Sequence, residues 1–308
     1  REIASSKAAT SSHQSASSRQ RSVRGVTSRY RSGSGRARRR TCSRWRRLVR
    51  AWGSVESGQS RKARRWRGWA ASRAGDLDRS VALREQAVAL ARGQADEWNL
   101  AMALGNLGGS LWKAGDYTRA RAALEETLRL YRALGEPEGI AFALCGLGML
   151  TLSEGDHKRA SSLLEEALGL VRKVGHLPDT GRYLADLGVV VLHEAEYDRA
   201  AALFEESLRL AQQVEDELLP GQCLWGMAVV AAAHGRPVRA ACLWGAAAAL
   251  RYMLVVPSVV VRPLEERLLV PARERLDSGT FDAEWAKGQA MRWEDAIAYA
   301  LVNDDEES

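Results

Sequence analysis

The residues of this sequence that could bind a metal or act as nucleophiles are scattered along the chain. It has four cysteines, and none forms a CxxC pair: Cys42, Cys145, Cys223 and Cys242. Four of the histidines add no ligand pair at a spacing typical of metal sites: His157, His176, His193 and His234. Because three of the cysteines lie inside helical patterns, we expect reduced, buried thiols in a cytoplasmic protein, with no metal and no cofactor.

Neighbouring glutamates are the other candidates for acid–base chemistry, and they recur at a constant step: Glu125-Glu126, Glu165-Glu166 and Glu205-Glu206. Adjacent residues of an α-helix diverge by about 100 degrees, so such pairs do not converge on a substrate. They indicate a solvated helix face, with i,i+4 pairs from Glu125 to Arg129 and from Glu205 to Arg209. Since no Ser/His/Asp set and no GxxxxGK[ST] loop occurs either, we predict that the chain is not an enzyme.

The helices that carry these residues belong to a repeat. The skeleton of residues 104–130 returns with a 40-residue period, and Gly115-Asp116 recurs as Gly155-Asp156. Arg119-Ala120 recurs in the same register at Arg159-Ala160, Arg199-Ala200 and Arg239-Ala240. A constant period of this length predicts an array of stacked supersecondary units.

Each unit predicts two helices joined by a tight turn. The first helix carries leucines at turn spacing, and the second leucine is followed by a small residue: Gly108, Gly148, Gly188 and Ala228. Glycine inside a helix costs about 1 kcal/mol relative to alanine, so we expect the second helix to cross closely there. The turn places glycine at the end of the first helix and aspartate at the start of the second. Ala195 replaces that glycine once, which predicts a strained left-handed residue or a distorted turn.

The pattern resembles the tetratricopeptide repeat. The positions that match are Leu104, Leu107, Gly108, Leu111, Gly115-Asp116-Tyr117, Ala120, Leu124 and Leu128. The departures are a unit six residues longer than the usual 34, leucine where the family often has tryptophan, Thr127 where it prefers alanine, and no closing proline. The resemblance covers about Gly68 to Leu250 and implies an all-α, right-handed α-solenoid. We expect four to five hairpins at 69–250 with a helical cap behind them.

In this family the first helices of successive units line a concave groove that holds a protein or peptide. The matching positions that we predict as a binding site are Met102, Trp112, Phe142, Met149, Arg182, Gln222 and Trp225. They favour an amphipathic helix or a small apolar ligand, with Arg182 as an anion anchor. In the alternative interpretation, neighbouring helices or the cap bury half of these positions.

The last part of the chain is expected to close the solenoid, because the final repeat has no successor to cover its apolar face. We place the cap at 251–302 and an acidic tail at 303–308. Three prolines should break the segment: Pro257, Pro263 and Pro271. Helices are expected at Leu264–Leu276 and across Phe281–Leu301, with Trp285 and Trp293 in the core of the cap.

Three C-terminal stretches resemble the end of large bacterial signalling ATPases of the LuxR, SARP and cyclase types: Arg239 to Arg251, Phe281 to Gly288 and Trp293 to Ala298. This second resemblance implies a ligand-sensing or partner-binding region of a protein for signal transduction and transcription regulation. The chain itself has no P-loop and no helix-turn-helix pattern.

The first quarter differs in composition from the rest. Residues 1–73 hold 21 basic and two acidic residues, a net charge of +19, while the whole chain has +7. We predict that 1–68 is disordered because it has almost no leucine or isoleucine. Two interpretations stay open: a basic tail that binds nucleic acid, or coding DNA translated out of frame up to about Trp69.

Membranes and other copies of the chain are two further classes of partner. No apolar run approaches the roughly 18 to 20 residues that a membrane span needs, so we expect no membrane association. An oligomerisation module is a third functional alternative, since the first repeat would expose an uncovered edge through which copies could associate.

Overall fold

The computed structural model describes residues 77–93, 96–217, 219–250 and 258–302. The chain divides into two units, 1–60 and 61–308, and every described residue lies in the second. In the described part before residue 251 the helices are α1 Leu77–Arg92, α2 Glu97–Ala114, α3 Tyr117–Leu134, α4 Pro137–Ser153, α5 His157–Val174, α6 Leu177–His193, α7 Tyr197–Gln213, α8 Pro220–Ala233 and α9 Pro237–Ala249. Behind it follow α10 Ser258–Leu264, a π-helical turn Glu265–Leu269, α11 Val270–Glu274, α12 Ser278–Ala290 and α13 Trp293–Leu301.

These helices form antiparallel hairpins that stack on one another. The first helices, α2, α4, α6 and α8, each pack against the second helix that follows, and each second helix packs against the next first helix. Helix α1 is the second helix of an earlier unit, and it packs on α2. The predicted all-α solenoid with a 40-residue step is confirmed.

The turns form as the glycine and aspartate positions predict. Gly115 adopts φ +85°, and Asp116 accepts a hydrogen bond on Oδ1 from the backbone N–H of Arg119 at 3.2 Å. Asp156 does the same for Arg159 at 3.1 Å. Glycine tolerates this φ without a Cβ clash, and the carboxylate satisfies a free N–H at the helix start.

Two positions break this pattern. Ala195 adopts φ +61°, which confirms the prediction of a left-handed non-glycine residue, and Glu196 after it makes no side-chain cap. Glu215 adopts φ +52° between α7 and α8. Glu215 lies one 40-residue repeat after Gly175, so it occupies the position of a turn glycine.

The glycines inside the first helices lie where the hairpin crosses most closely. A Cβ atom on Gly108 would sit 2.7 Å from Cγ of Leu124, and one on Gly148 would sit 3.0 Å from Cγ of Leu164. These distances are shorter than van der Waals contact, so a side chain would push the two helices apart. The predicted packing reason for the recurring glycine is confirmed.

The glutamates on the second helices mostly pair across repeats. Arg92 reaches Glu126 at 3.4 Å, and Arg172 reaches Glu206 at 2.6 Å. The predicted pair of Glu205 with Arg209 forms at 2.9 Å, whereas Glu125 is paired with Arg121 at 3.9 Å and not with Arg129. Such exposed pairs each contribute little to stability, but they hold neighbouring hairpins in register.

The C-terminal helices differ from the prediction at two of the three prolines. Pro263 lies inside α10, and Pro271 lies at the start of α11, yet the helical path continues from Ser258 to Glu274. The π turn between them lets Val270 donate its N–H to the carbonyl of Glu265. A π turn accommodates an extra residue without ending the helix, which is why the segment is not broken.

Trp285 and Trp293 are the two tryptophans that the sequence predicts in the core of the cap. Trp285 stacks on Phe281 with ring centroids 5.7 Å apart and meets Trp244 of α9 edge-on at 5.2 Å. Trp293 is partly buried against the core. A Cβ atom on Gly288 would lie 1.9 Å from the carbonyl oxygen of Cys242, so α12 and α9 pack backbone to backbone.

Several sequence-based predictions fall outside the described residues. They concern the basic segment 1–68, the first helix of the first repeat, Cys42, Pro257 and the acidic tail 303–308. Within the described part, no helix combines the length and apolarity that crossing a bilayer requires.

Candidate binding cleft

The structure divides the seven predicted groove residues into two groups. Three are partly exposed and line one cleft: Met102, Phe142 and Arg182. The other four have at most 7% of their surface exposed: Trp112, Met149, Gln222 and Trp225. Only the first group is accessible to a partner in this structure.

The three accessible residues belong to an open cleft of about 420 Å³ where α2, α4 and α6 begin. Its full lining is Trp98, Met102, Asn106, Tyr131, Glu136, Glu138, Gly139, Phe142, Asp179 and Arg182. The Trp98 side chain is 42% exposed. A large ring open to water beside a concave surface is typical of sites that bind a partner.

Local capping and close packing position the walls of the open cleft. Asp96 accepts a hydrogen bond from the backbone N–H of Asn99 at 3.0 Å, which fixes the first turn of α2 and with it Trp98. On the other wall, a Cβ atom on Gly139 would lie 2.3 Å from Cδ1 of Tyr131. The Tyr131 ring therefore packs directly on the backbone of α4.

Arg182, the predicted anion anchor, is already paired. Its guanidinium donates to Oδ1 of Asp179 at 2.8 Å and to the hydroxyl of Tyr183 at 3.0 Å. Nδ1 of His176 lies 3.0 Å from the other carboxylate oxygen of Asp179. The charge of Arg182 is thus matched within its own helix, which makes it a poor anchor for an incoming anion.

A polar network joins the buried side chains of Gln222 and Cys145 to Asp186. The Cys145 thiol donates to Oδ2 of Asp186 at 3.3 Å, and Nε2 of Gln222 donates to Oδ1 of the same carboxylate at 2.9 Å. Burial, with the nearby Asp186 charge, raises the pKa of Cys145 well above its usual range. The thiol therefore stays protonated. The network of Cys145, Asp186 and Gln222 joins three successive first helices.

The histidines do not form a metal site among the residues that the structure describes. There, no three His, Cys, Asp or Glu side chains converge in a way that could hold an ion. His157 and His193 have ring centroids 5.2 Å apart, and burial followed by the charge of His157 lowers the pKa of His193 to about 4. Nε2 of His193 instead bonds the carbonyl oxygen of Val260 at 3.0 Å.

That bond belongs to a segment, Ser258–Glu274, which we call the strap. Its α10 packs on α4, its π turn packs on α8, and Arg267 donates to the carbonyl of Leu192 at the end of α6 at 3.4 Å. The strap thus crosses the first helices of three repeats. The ends of the first helices that it contacts, around Leu192 and His193 of α6, form the covered region. Gln222 and Trp225 are buried on α8, a helix that the strap also contacts.

The repeat pattern is matched by a family profile described as tetratricopeptide repeat. The match consists of three overlapping windows, residues 59–133, 99–173 and 139–213, whose starts are spaced by one repeat step. Together they span 155 of the 308 residues, just over half of the chain. The chain belongs to the tetratricopeptide repeat (TPR) family.

Several solved structures resemble the chain at low sequence identity. BtubC (BKLC) from P. vanneervenii has 18% identity and a TM-score of 0.48 over 73% of this chain and 89% of that one. The apo form of RapI has 14% identity and a TM-score of 0.48 over 74% and 90%. A putative kinesin light chain of Podosopora anserina has 16% identity and a TM-score of 0.43 over 67% and 94%. No curated protein matches the sequence.

TPR arrays are scaffolds whose concave surfaces bind protein or peptide partners, and the fold typically carries no catalytic site. Within this TPR array, sequence reasoning missed the first turn of each first helix. Trp98 lies four residues before Met102, and Glu138 lies four residues before Phe142. Extending each predicted stripe by one helical turn towards its N-terminus would have found both residues.

Proposed function

We propose that this TPR protein is a non-catalytic scaffold that binds a peptide or an amphipathic helix of a partner protein in the open cleft. The observation that supports this most is the partly exposed stripe of Trp98, Met102 and Phe142 along a concave wall. Large apolar side chains at helical spacing provide anchor points for an amphipathic partner.

We further propose that the chain is the C-terminal repeat region of a bacterial signalling ATPase that regulates transcription. Its basis is the resemblance of residues 239–251, 281–288 and 293–298. Arg239 in the first stretch donates to the carbonyls of Tyr299, Ala300 and Val302, which follow directly after the last stretch, at 3.2, 3.1 and 2.9 Å. In this proposal the cleft senses a partner, and other domains of the intact protein supply the output.

The binding proposal can be tested without a known partner. A displayed library of random helical and extended peptides is selected on the full chain, and the enriched peptides are measured by fluorescence anisotropy. We expect Trp98→Ala and Phe142→Ala to weaken their binding by about tenfold or more, since aromatic anchors dominate such contacts.

A matched control is Val174→Ala, because Val174 has 41% of its surface exposed, close to the 42% of Trp98, and lies at the end of the second helix α5. This variant should bind the selected peptides as the parent does. Peptides that bind Trp98→Ala and the parent equally well would overturn the assignment of the open cleft.

A further inference from the structure

The open cleft carries an excess of negative charge. Its lining includes three carboxylates, on Glu136, Glu138 and Asp179, and a single cation on Arg182. At neutral pH the lining therefore has two more negative than positive charges. The cleft favours a partner of opposite charge.

Two of these carboxylates remain available to a partner. Arg182 is paired with Asp179 at 2.8 Å, which leaves Glu136 and Glu138. Both are exposed, and among the described residues neither has an ion-pair partner. Glu126 and Glu206 on the second helices provide a contrast, since both are paired with arginines of the preceding repeat.

The two glutamates lie together at the N-terminal end of α4. Glu136 is the residue before α4, and Glu138 lies in its first turn. The positive end of a helix dipole interacts favourably with a negative charge there. The cleft thus places two fixed negative charges beside its aromatic stripe.

The exposed rings favour the same type of partner. Trp98 and Phe142 can bury the apolar stem of an arginine or lysine and attract its charged end through the face of the ring. An acidic partner would instead bring its carboxylates next to Glu136 and Glu138, without a free cation in the lining to neutralise them.

We propose that the open cleft selects a basic amphipathic peptide, in which arginine or lysine residues stand next to large apolar residues. This inference rests on the proposed function and names the class of partner that the same site takes. It replaces the expectation of an anion anchored by Arg182.

The test uses two labelled peptides of about 14 residues with leucines at helical spacing. One carries lysine on its polar flanks, and its twin carries glutamate at the same positions. Both are titrated with the full chain and with Trp98→Ala, and only the binding that Trp98→Ala removes is assigned to the cleft. We expect the lysine peptide to bind through the cleft at least about tenfold more tightly than its twin.

A pair of charge variants identifies the cause of the preference. Glu136→Gln with Glu138→Gln should reduce the preference for the lysine peptide to about threefold or less. The matched control is Glu125→Gln with Glu166→Gln, which removes the same charge from the second helices and should leave the preference unchanged.

The outcomes separate the two proposals. Equal Trp98-dependent binding of both peptides, or a preference that survives the Glu136 and Glu138 variants, overturns the charge selection while leaving the cleft as a binding site. Absence of any Trp98-dependent binding, for these peptides and for those selected from the library, overturns the proposed function together with this inference.

Discussion

The first helices of this TPR array contain two contrasting regions, the open cleft and the covered region at the strap. Even residues at equivalent positions of the repeat differ in exposure. At one position of the register Met102 and Phe142 line an open cleft, while Gln222, the equivalent residue one repeat after Arg182, is 6% exposed. The strap contacts α4, α8 and the end of α6, whereas Trp98 lies at the start of α2. Accessibility thus depends on what packs against each position, as the bond from Gln222 to Asp186 of α6 shows, and not only on its place in the repeat.

The strap is held mainly by apolar burial. Its side chains Val260, Leu264 and Leu269 are each at most 2% exposed. Burial of a valine or leucine contributes about 1.5 to 3 kcal/mol, whereas the two hydrogen bonds to His193 and from Arg267 contribute about 1 kcal/mol each. The covered region should therefore respond strongly to changes in packing, and the open cleft only weakly.

The largest effect is expected where the helices behind the strap pack backbone to backbone. Gly288→Ala would place a methyl group 1.9 Å from the carbonyl oxygen of Cys242, so α12 must move away from α9. We expect a loss of about 3 kcal/mol or more in the free energy of unfolding, measured by urea denaturation. The control is Gly169→Ala in α5, where nothing lies within 4 Å and the same change should stabilise the protein by about 1 kcal/mol. Equal effects of the two variants would contradict this packing.

A smaller loss is expected when the strap itself is weakened. Leu264→Ala removes a side chain that is 1% exposed and leaves a cavity on the covered region. We expect a loss of about 2 to 3 kcal/mol. Met102→Ala in the open cleft should cost less than about 1 kcal/mol, because its side chain is partly exposed. If both variants have the same unfolding free energy, the contrast between the two regions fails.

The difference between the regions also marks the limit of the sequence analysis. Helix pairs, turns and the reason for Gly108 follow from local pattern, because each depends on contacts inside one repeat unit. The path of the strap depends on contacts with α4, α6 and α8, which belong to three different units and do not repeat along the chain. The sequence therefore predicts which residues belong to the first-helix stripe. It does not predict that Trp225 is buried while Trp98 is exposed.

A pH-dependent effect is also expected in the covered region. Burial, with the charges of His157 and Arg267, lowers the pKa of His193 from 6.5 to about 4, although its bond to the Val260 carbonyl acts in the opposite direction. Between these values the unfolded chain takes up the proton more readily than the folded one, so stability falls as the pH falls from 6.5 towards 4. At pH 5 we expect this site to contribute a loss of about 1 kcal/mol, after allowance for the part of the ring that water reaches.

The measurement compares the parent with His193→Gln, which can still donate a hydrogen bond to the Val260 carbonyl. Urea denaturation at pH 7 and pH 5 gives the change in unfolding free energy for each protein. The parent should lose about 1 kcal/mol more than the variant. Parallel losses would mean that His193 is not titrated in this range and that other acid-sensitive groups cause the fall.

The smallest effect is expected at the turn that leads out of α6, next to the strap. Ala195 adopts φ +61°, which costs an alanine about 1 to 2 kcal/mol and a glycine almost nothing. Since glycine also gains more freedom in the unfolded chain, Ala195→Gly should stabilise the protein by only about 0.5 to 1 kcal/mol, seen as a higher urea midpoint with an unchanged slope. The control is Gly155→Ala at the equivalent turn, where φ is +91° and the reverse change should destabilise by a similar amount. Because both turns occupy the same position in successive repeats, opposite signs would show that the backbone conformation of the turn is set by the repeat. The contacts of the strap, which do not repeat along the chain, would then be the feature that distinguishes the covered region from the open cleft.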